Sequence, residues 1–183
     1  MLTDEKLINL IAEERKEEII EIVMAEYGEK LTRLAYSYLK DWGLAEDAVQ
    51  EVFVKCYHSL DRFRMESSIQ TWLYMITSNQ CKDILRSSSF RKILSQIPFL
   101  KLHPATQITP ELIILEREQD ERIAKALLML PIKYREVMIF YYYENVSISG
   151  IAKILKVNEN TIKTRLRRGK QLLKEMIRRN EID

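Results

Sequence analysis

The distribution of helix breakers constrains this chain more than any other feature. Its 183 residues hold four glycines (Gly28, Gly43, Gly150 and Gly169) and four prolines, with Pro98, Pro104 and Pro110 gathered in one segment. Long stretches on either side run without a breaker, and in them apolar residues return every three or four positions, the period of a helix. The expectation is an all-α fold of two small helical domains joined by a flexible linker. A hydrophobic fraction of 46% is enough to give each a core.

Residues 1–26 read as an acidic N-terminal helical extension, with Leu7, Leu10, Ile11, Ile19, Ile22 and Val23 spaced for one or two amphipathic helices. The first domain spans 27–88. Its first helix runs from Tyr27 to Lys40, and Gly43 suits the left-handed position that ends it. The next, Leu44 to Leu60, carries one apolar stripe through Ala45, Ala48, Val49, Val52, Phe53, Cys56, Tyr57 and Leu60. The same period puts Asp47, Gln50, Glu51 and Val54 on a separate face, an acidic and amide patch with an aliphatic edge that a partner could read. After a turn over 61–66, Ser67 and Gln70 have capping-box spacing for a helix reaching Arg86. Its inner side is expected to hold Ile69, Trp72, Leu73, Ile76 and Ile84. Its outer side then carries Tyr74, Ser78, Asn79, Lys82 and Arg86, a basic, amide-bearing and aromatic surface.

Residues 89–110 form the linker, which at full extension spans at most ~80 Å, against ~34 Å for a turn of duplex DNA. Ile93, Leu94, Ile97, Phe99, Leu100 and Leu102 are costly to leave in water, so part of it is expected to dock on a surface. The second domain spans 111–179. A helix with Leu112, Leu115, Ile123, Leu127 and Leu130 stops at Pro131, which suits the first turn of the next helix, through Tyr134, Val137, Met138 and Tyr141. The run Tyr141-Tyr142-Tyr143 reads as a half-buried helix end.

Ser147 then caps a short helix with Ile148, Ile151, Ala152 and Leu155 inward, and the turn Lys156-Val157-Asn158 leads into a helix with Ile162, Leu166, Gly169, Leu173 and Met176 inward. A small residue at Ala152 and apolar contacts from Val157 and Ile162 fit a DNA-reading helix-turn-helix. The exposed start of its second helix offers Glu159, Asn160, Lys163, Thr164, Arg167 and Arg168, of which Asn can pair with adenine and Arg with guanine while Lys163 or Arg168 hold phosphates. Lys156 stands where a glycine is common. A left-handed lysine there costs about 1 kcal/mol.

The net charge of +2 hides an acidic beginning and a basic end, the latter with Lys163, Arg165, Arg167, Arg168, Lys170, Lys174, Arg178 and Arg179. Charge alone leaves phosphate contact and a merely solvated face equally open. Cys56 and Cys81 read as reduced core residues, and with His58 and His103 they have no metal-ligand spacing, so neither a metal nor a cofactor is expected. No run is apolar enough to span a bilayer and no basic leader precedes an apolar stretch, so the protein is expected in the cytoplasm. Catalytic residues are likewise not expected: paired carboxylates, an activated nucleophile and a phosphate-cradling glycine loop are all missing from the pattern.

In three blocks the chain resembles bacterial RNA polymerase sigma factors of the extracytoplasmic-function group of the sigma-70 family. The blocks are Ala45-Glu46-Asp47-Ala48-Val49-Gln50-Glu51-Val52-Phe53; Leu60-Asp61-Arg62-Phe63 with Thr71-Trp72-Leu73-Tyr74; and Leu130-Pro131 with Tyr134-Arg135-Glu136-Val137, Ile151-Ala152 and Thr161 to Leu166. The resemblance, over Tyr27 to Met176, implies that 27–88 is sigma region 2 and 111–179 is region 4. By it, Asp47, Gln50, Glu51 and Val54 would bind the clamp helices of the polymerase β′ subunit, with the β subunit a further contact. Phe63, Arg64, Ser67, Ser68, Tyr74, Asn79, Lys82 and Arg86 would capture the melted −10 strand, Trp72 being assigned to the core. Region 4 would read the −35 duplex through Glu159, Asn160, Lys163, Thr164, Arg167 and Arg168. Core polymerase, promoter DNA and an anti-sigma factor, often membrane-bound in this group, are the implied partners, with no small-molecule substrate. Gly150 departs from the usual glutamate, and Gly169 from a common alanine.

Two other classes stay open on the residues alone. A helix-turn-helix regulator acting without polymerase predicts tight duplex binding by itself, and a protein-interaction module with a solvated basic helix predicts no sequence-specific DNA contact.

Overall fold

The computed structural model describes residues 4–13, 15–63, 66–87 and 120–180. Arg64, Ser88, the linker 89–110, His103, and Leu112 and Leu115 of the expected second-domain helix lie outside the described residues. Contacts divide the chain into two compact units at Ser87. Among the described residues every regular element is helical.

Unit 1 contains α1 (Asp4–Ala12), α2 (Lys16–Leu39), α3 (Trp42–Ser59), a 3-10 turn (Leu60–Arg62) and α4 (Ile69–Arg86). α2 is one continuous helix, so the boundary expected between residues 26 and 27 falls inside it. A glycine within a helix costs about 1 kcal/mol, which the burial of Ile19, Val23, Leu31, Leu34 and Ala35 along α2 readily outweighs. Leu10 of α1 is buried as well.

The end of α2 also differs from expectation. Lys40, not Gly43, takes the left-handed conformation (φ 58°), its N–H bonded to the Tyr36 carbonyl at 2.8 Å. Asp41 then accepts from the Leu44 N–H at 2.9 Å and starts α3 at once, which puts Gly43 inside the new helix with a negative φ. On α4 the capping residue is Ser68, one position later than expected, its Oγ accepting from the Thr71 N–H at 3.2 Å. The core of the unit is drawn from Leu34, Ala35, Tyr38, Ala48, Val52, Cys56, Leu73 and Cys81. Both thiols are free and buried, and burial pushes each up to about 12.

Unit 2 contains α5 (Asp120–Met129), α6 (Ile132–Tyr142), α7 (Ile148–Leu155) and α8 (Glu159–Asn180). Pro131 is the residue before α6 (φ −54°, ψ 139°), one step outside the first turn that was expected. α6 packs against both α7 and α8, and Arg135 through Phe140 are all buried. Of the run expected as a half-buried helix end, Tyr141 and Tyr142 are exposed and Tyr143 is half-buried. The helix-turn-helix follows the sequence closely. Ser147 caps α7 by accepting from the Gly150 N–H at 3.1 Å, Lys156 is left-handed (φ 54°), and the Val157 N–H returns to the Ala152 carbonyl at 3.1 Å. Ile151, Ile154 and Ile162 close the angle between the two helices.

Among the described residues no helix is long and apolar enough to cross a membrane.

Candidate nucleic-acid interface

The start of α8 is built to stand out from its unit. Asn158 Oδ1 accepts from both the Thr161 N–H (2.8 Å) and the Thr161 hydroxyl (2.9 Å), which satisfies first-turn donors and fixes the helix entry. Ile162 and Gly169 face inward, and a Cβ on Gly169 would lie 3.1 Å from Met138 Cγ, so α8 approaches α6 closely there. Glu159, Asn160, Lys163, Thr164, Arg167 and Arg168 are then all exposed. Asn160, Thr164, Arg167 and Arg168 line a groove of about 880 Å³ whose other wall includes Lys133 and Tyr134 of α6.

The cations of this helix are not equivalent. Arg165 turns inward, its guanidinium 3.3 Å from Glu136 Oε1, and Glu136 is only 4% exposed. The neighbouring Arg135 donates to the Leu128 carbonyl. Arg168 donates to Gln171 Oε1 at 2.9 Å, and Gln171 donates on to Glu175 at 3.0 Å, which lays the Arg168 side chain along the exposed face. The Glu136–Arg165 pair and the groove position of Lys133 are features that periodicity did not single out. Glu136 stands at the head of the apolar run Val137-Met138-Ile139-Phe140, the sequence sign of an acid with a buried partner.

In unit 1, Asp47, Gln50, Glu51 and Val54 form an exposed strip on α3, with Val54 51% exposed. An aliphatic side chain so open beside two carboxylates and an amide is a surface suited to another protein. The second predicted set is only partly brought together. Phe63 lies against Trp72 with ring centroids 4.9 Å apart, both half-buried. Ser67 is half-buried and Ser68 is exposed, Asn79 and Arg86 are exposed, and Arg86 has Asp83 3.9 Å away. Lys82 is half-buried with its Nζ 5.8 Å above the Tyr38 ring.

Tyr74 is a correction. Expected on the outer side of α4, it is fully buried, and its phenol accepts from Gln70 Nε2 at 3.1 Å, so its ring cannot stack on a base. Ser78, expected beside it, is also buried and bonded to the Tyr38 hydroxyl at 3.2 Å. The inner face of α4 includes two small hydroxyls, Thr77 and Ser78, each satisfied within the fold, and these made a buried face look polar. Ile76 and Ile84, assigned inward, are half-buried.

Asn79 opens onto a cleft of about 560 Å³ whose other side carries Lys55 and His58 of α3 and Arg62 of the 3-10 turn. These three recur at helical spacing, the signal by which the strip is legible in the sequence. Next to this cleft, the Tyr57 ring lies edge-on to His58 and its hydroxyl donates to Glu17 Oε1 at 2.7 Å. That bond holds the Glu17 carboxyl below its usual range and raises the Tyr57 phenol.

Family models match both units: Sigma-70 region 2 over residues 23–91 and Sigma-70 region 4 over residues 120–173. The chain is 30% identical over 159 residues to the ECF RNA polymerase sigma factor SigW of Bacillus subtilis, covering 83% of this chain and 85% of that protein. It is an ECF sigma factor of the sigma-70 family. A more distant relative, the ECF RNA polymerase sigma-E factor of Escherichia coli K12, is 26% identical over 179 residues, with 94% of this chain and 93% of that protein covered. Among solved structures, the sigma factor RpoE of Bartonella quintana, crystallised with the anti-sigma factor NepR, is similar with a TM-score of 0.66 and 26% identity over 90% of this chain and 97% of that one. CnrH in complex with the cytosolic domain of CnrY shares the fold, with a TM-score of 0.61 and 20% identity over 88% of each chain. The exposed start of α8 therefore belongs to region 4, and the α3 strip and the Phe63–Trp72 contact belong to region 2.

Proposed function

We propose that this sigma factor binds core RNA polymerase through Asp47, Gln50, Glu51 and Val54 of α3 and directs initiation at promoters read at two elements. Region 4 inserts the start of α8 into the major groove of the −35 duplex. Asn160 and Arg167 are the base-reading candidates, with Glu159 and Thr164 beside them, while Lys163 and Arg168 neutralise phosphates. Region 2 captures the melted −10 strand with Phe63, Arg64, Ser67, Ser68, Asn79, Lys82 and Arg86. Tyr74 drops out of this set because it is inside the core. The observation that carries the reading is the groove of unit 2, where Asn160 and Thr164 share one wall with three arginines, Arg165, Arg167 and Arg168, and face Lys133 on the other.

Melting is favoured by whatever holds the displaced bases, and a stacked base contributes about 1–3 kcal/mol. Nucleotide addition is left to the polymerase. An anti-sigma factor completes the partner set, a reading supported by its presence beside the similar RpoE structure. The deciding experiment is run-off transcription with core polymerase, with and without the chain, over a library of promoter fragments. Transcription from a defined subset is the expected outcome. Duplex binding by the chain alone with no transcription from any template would replace this reading with an ordinary helix-turn-helix regulator.

A further inference from the structure

The region 2 match begins at residue 23, yet α2 begins at Lys16. Two consecutive residues of that extra first turn reach the far end of α3. Lys16 Nζ lies 2.5 Å from Asp61 Oδ2, and Glu17 Oε1 accepts from the Tyr57 hydroxyl at 2.7 Å. Tyr57 is in the last turns of α3 and Asp61 is in the 3-10 turn that follows, so the two links grip the place where the helix gives way to the turn. The gripping element is itself anchored: Ile19 and Val23 are buried in the unit, and Leu10 of α1 is 4% exposed. Beyond Asp61 the chain reaches Phe63, closed by its N–H on the Leu60 carbonyl at 3.0 Å, and soon afterwards Ser68, the cap of α4.

We propose that Lys16 and Glu17 are positioning residues for −10 recognition, setting where the Leu60–Arg62 turn delivers Phe63 against Trp72. This rests on the reading of Phe63 as part of the strand-capturing surface of region 2. Residues preceding the family match are on this account part of the promoter-reading apparatus of this sigma factor. The physical case is one of placement rather than stability. Asp61 is 64% exposed, and an ion pair in water contributes little to folding. Burial of Ile19 and Val23 already holds α2 in place. What the two links remove is freedom of the turn, and a recognition segment displaced by about 1 Å loses much of its selectivity.

The test uses the full chain with core polymerase and fork-junction DNA carrying a randomised single-stranded −10 segment. The variants are Lys16→Gln, Glu17→Gln, Tyr57→Phe, Lys16→Asp and Asp61→Lys, each alone, and the exchange that combines the last two. Each single variant should lower discrimination among −10 sequences by about two- to fivefold, the size expected of an exposed link. Affinity for core polymerase and for −35 duplex should stay unchanged. The Lys16 effect should shrink as salt is raised, because the pair is open to screening. The exchange should recover most of what either half loses. Wild-type discrimination retained in all single variants would overturn the proposal while leaving the −10 reading intact, and so would equal losses of core and −35 binding, which mark a purely structural role. If the wild-type complex itself does not discriminate among −10 strands, the reading beneath the proposal is what fails.

Discussion

The surface of unit 2 that we assign to duplex DNA and the surface of unit 1 that we assign to a melted strand are made in different ways. In unit 2 a single helix presents everything: Asn158 fixes its start, Glu136 holds Arg165 from below, and Gly169 lets it settle against Met138. In unit 1 the surface is shared between a turn and α4, and one expected member, Tyr74, belongs to the core. The difference follows from the two ligands. A major groove is a regular object that accepts a regular helix, whereas an unstacked strand needs a turn and cavities whose shapes no repeat dictates.

The sharpest way to break this comparison is at Tyr74. Removing its ring should cost about 3–5 kcal/mol, as for other large core side chains cut to alanine, and should unfold unit 1 under conditions where unit 2 persists. Trp42 and Trp72, the only tryptophans, both lie in unit 1, so their fluorescence follows that transition while circular dichroism follows both. Tyr74→Phe keeps the ring and should leave binding to −10 strands unchanged. A selective loss of strand binding in Tyr74→Phe, with stability intact, would return this residue to the interface.

Glu136→Ala asks the converse question of unit 2. It leaves Arg165, itself one-quarter exposed, without the buried carboxylate that it faces, the loss of a hydrogen bond to a charged group that costs about 1.5–3 kcal/mol. The transition seen by circular dichroism but not by tryptophan fluorescence should move to lower urea. An unchanged second transition would mean that α8 is held by its apolar contacts alone.

The sequence told more about unit 2 than about unit 1, for reasons visible at particular residues. Ser147, Lys156, Asn158 and Ile162 act locally, within one or two turns, so spacing revealed their parts. Tyr74 and Ser78 depend on what α2 brings against them across nearly forty residues of chain, and a helical wheel drawn for α4 alone could not show that. Gly43 was misplaced because Asp41 captured the following helix and Lys40 accepted the left-handed turn. The continuous α2 was hidden for a similar reason, since the burial that runs through it, from Ile19 to Leu39, depends on the helices packed against it. Glu136 and Arg165 were present in the sequence as charges, but their pairing spans two helices.

Arg167→Ala sharpens the functional half of the comparison. If Arg167 reads a base, binding should lose about 1–3 kcal/mol on the preferred −35 sequence and selectivity should relax at one position. A loss that is uniform over all duplexes, with the salt dependence reduced by about one phosphate contact, would assign it to the backbone instead. Arg168, already oriented by Gln171, is the natural comparison, and its replacement should give the uniform pattern.

The smallest effects concern the two glycines of unit 2, and their signs should differ. A Cβ at Gly150 would lie 2.8 Å from Val146 Cγ1 and 3.3 Å from Ser147 Oγ, the oxygen that caps α7. Gly150→Ala therefore gains up to about 1 kcal/mol of helix propensity but must displace a short branched side chain and disturb the cap, an overpacking cost of about 1–3 kcal/mol. The expected net is a destabilisation. At Gly169 the nearest atoms are Met138 Cγ and Sδ, at 3.1 and 3.3 Å, in an unbranched side chain that can turn aside. Gly169→Ala should consequently be neutral or stabilising by up to about 1 kcal/mol, with propensity the larger contribution. Urea titrations of the two variants side by side decide it. If Gly169→Ala proves the more harmful, the close approach of α8 to α6 is more rigid than the methionine suggests, and the recognition helix is held by packing at its middle as firmly as by capping at its start.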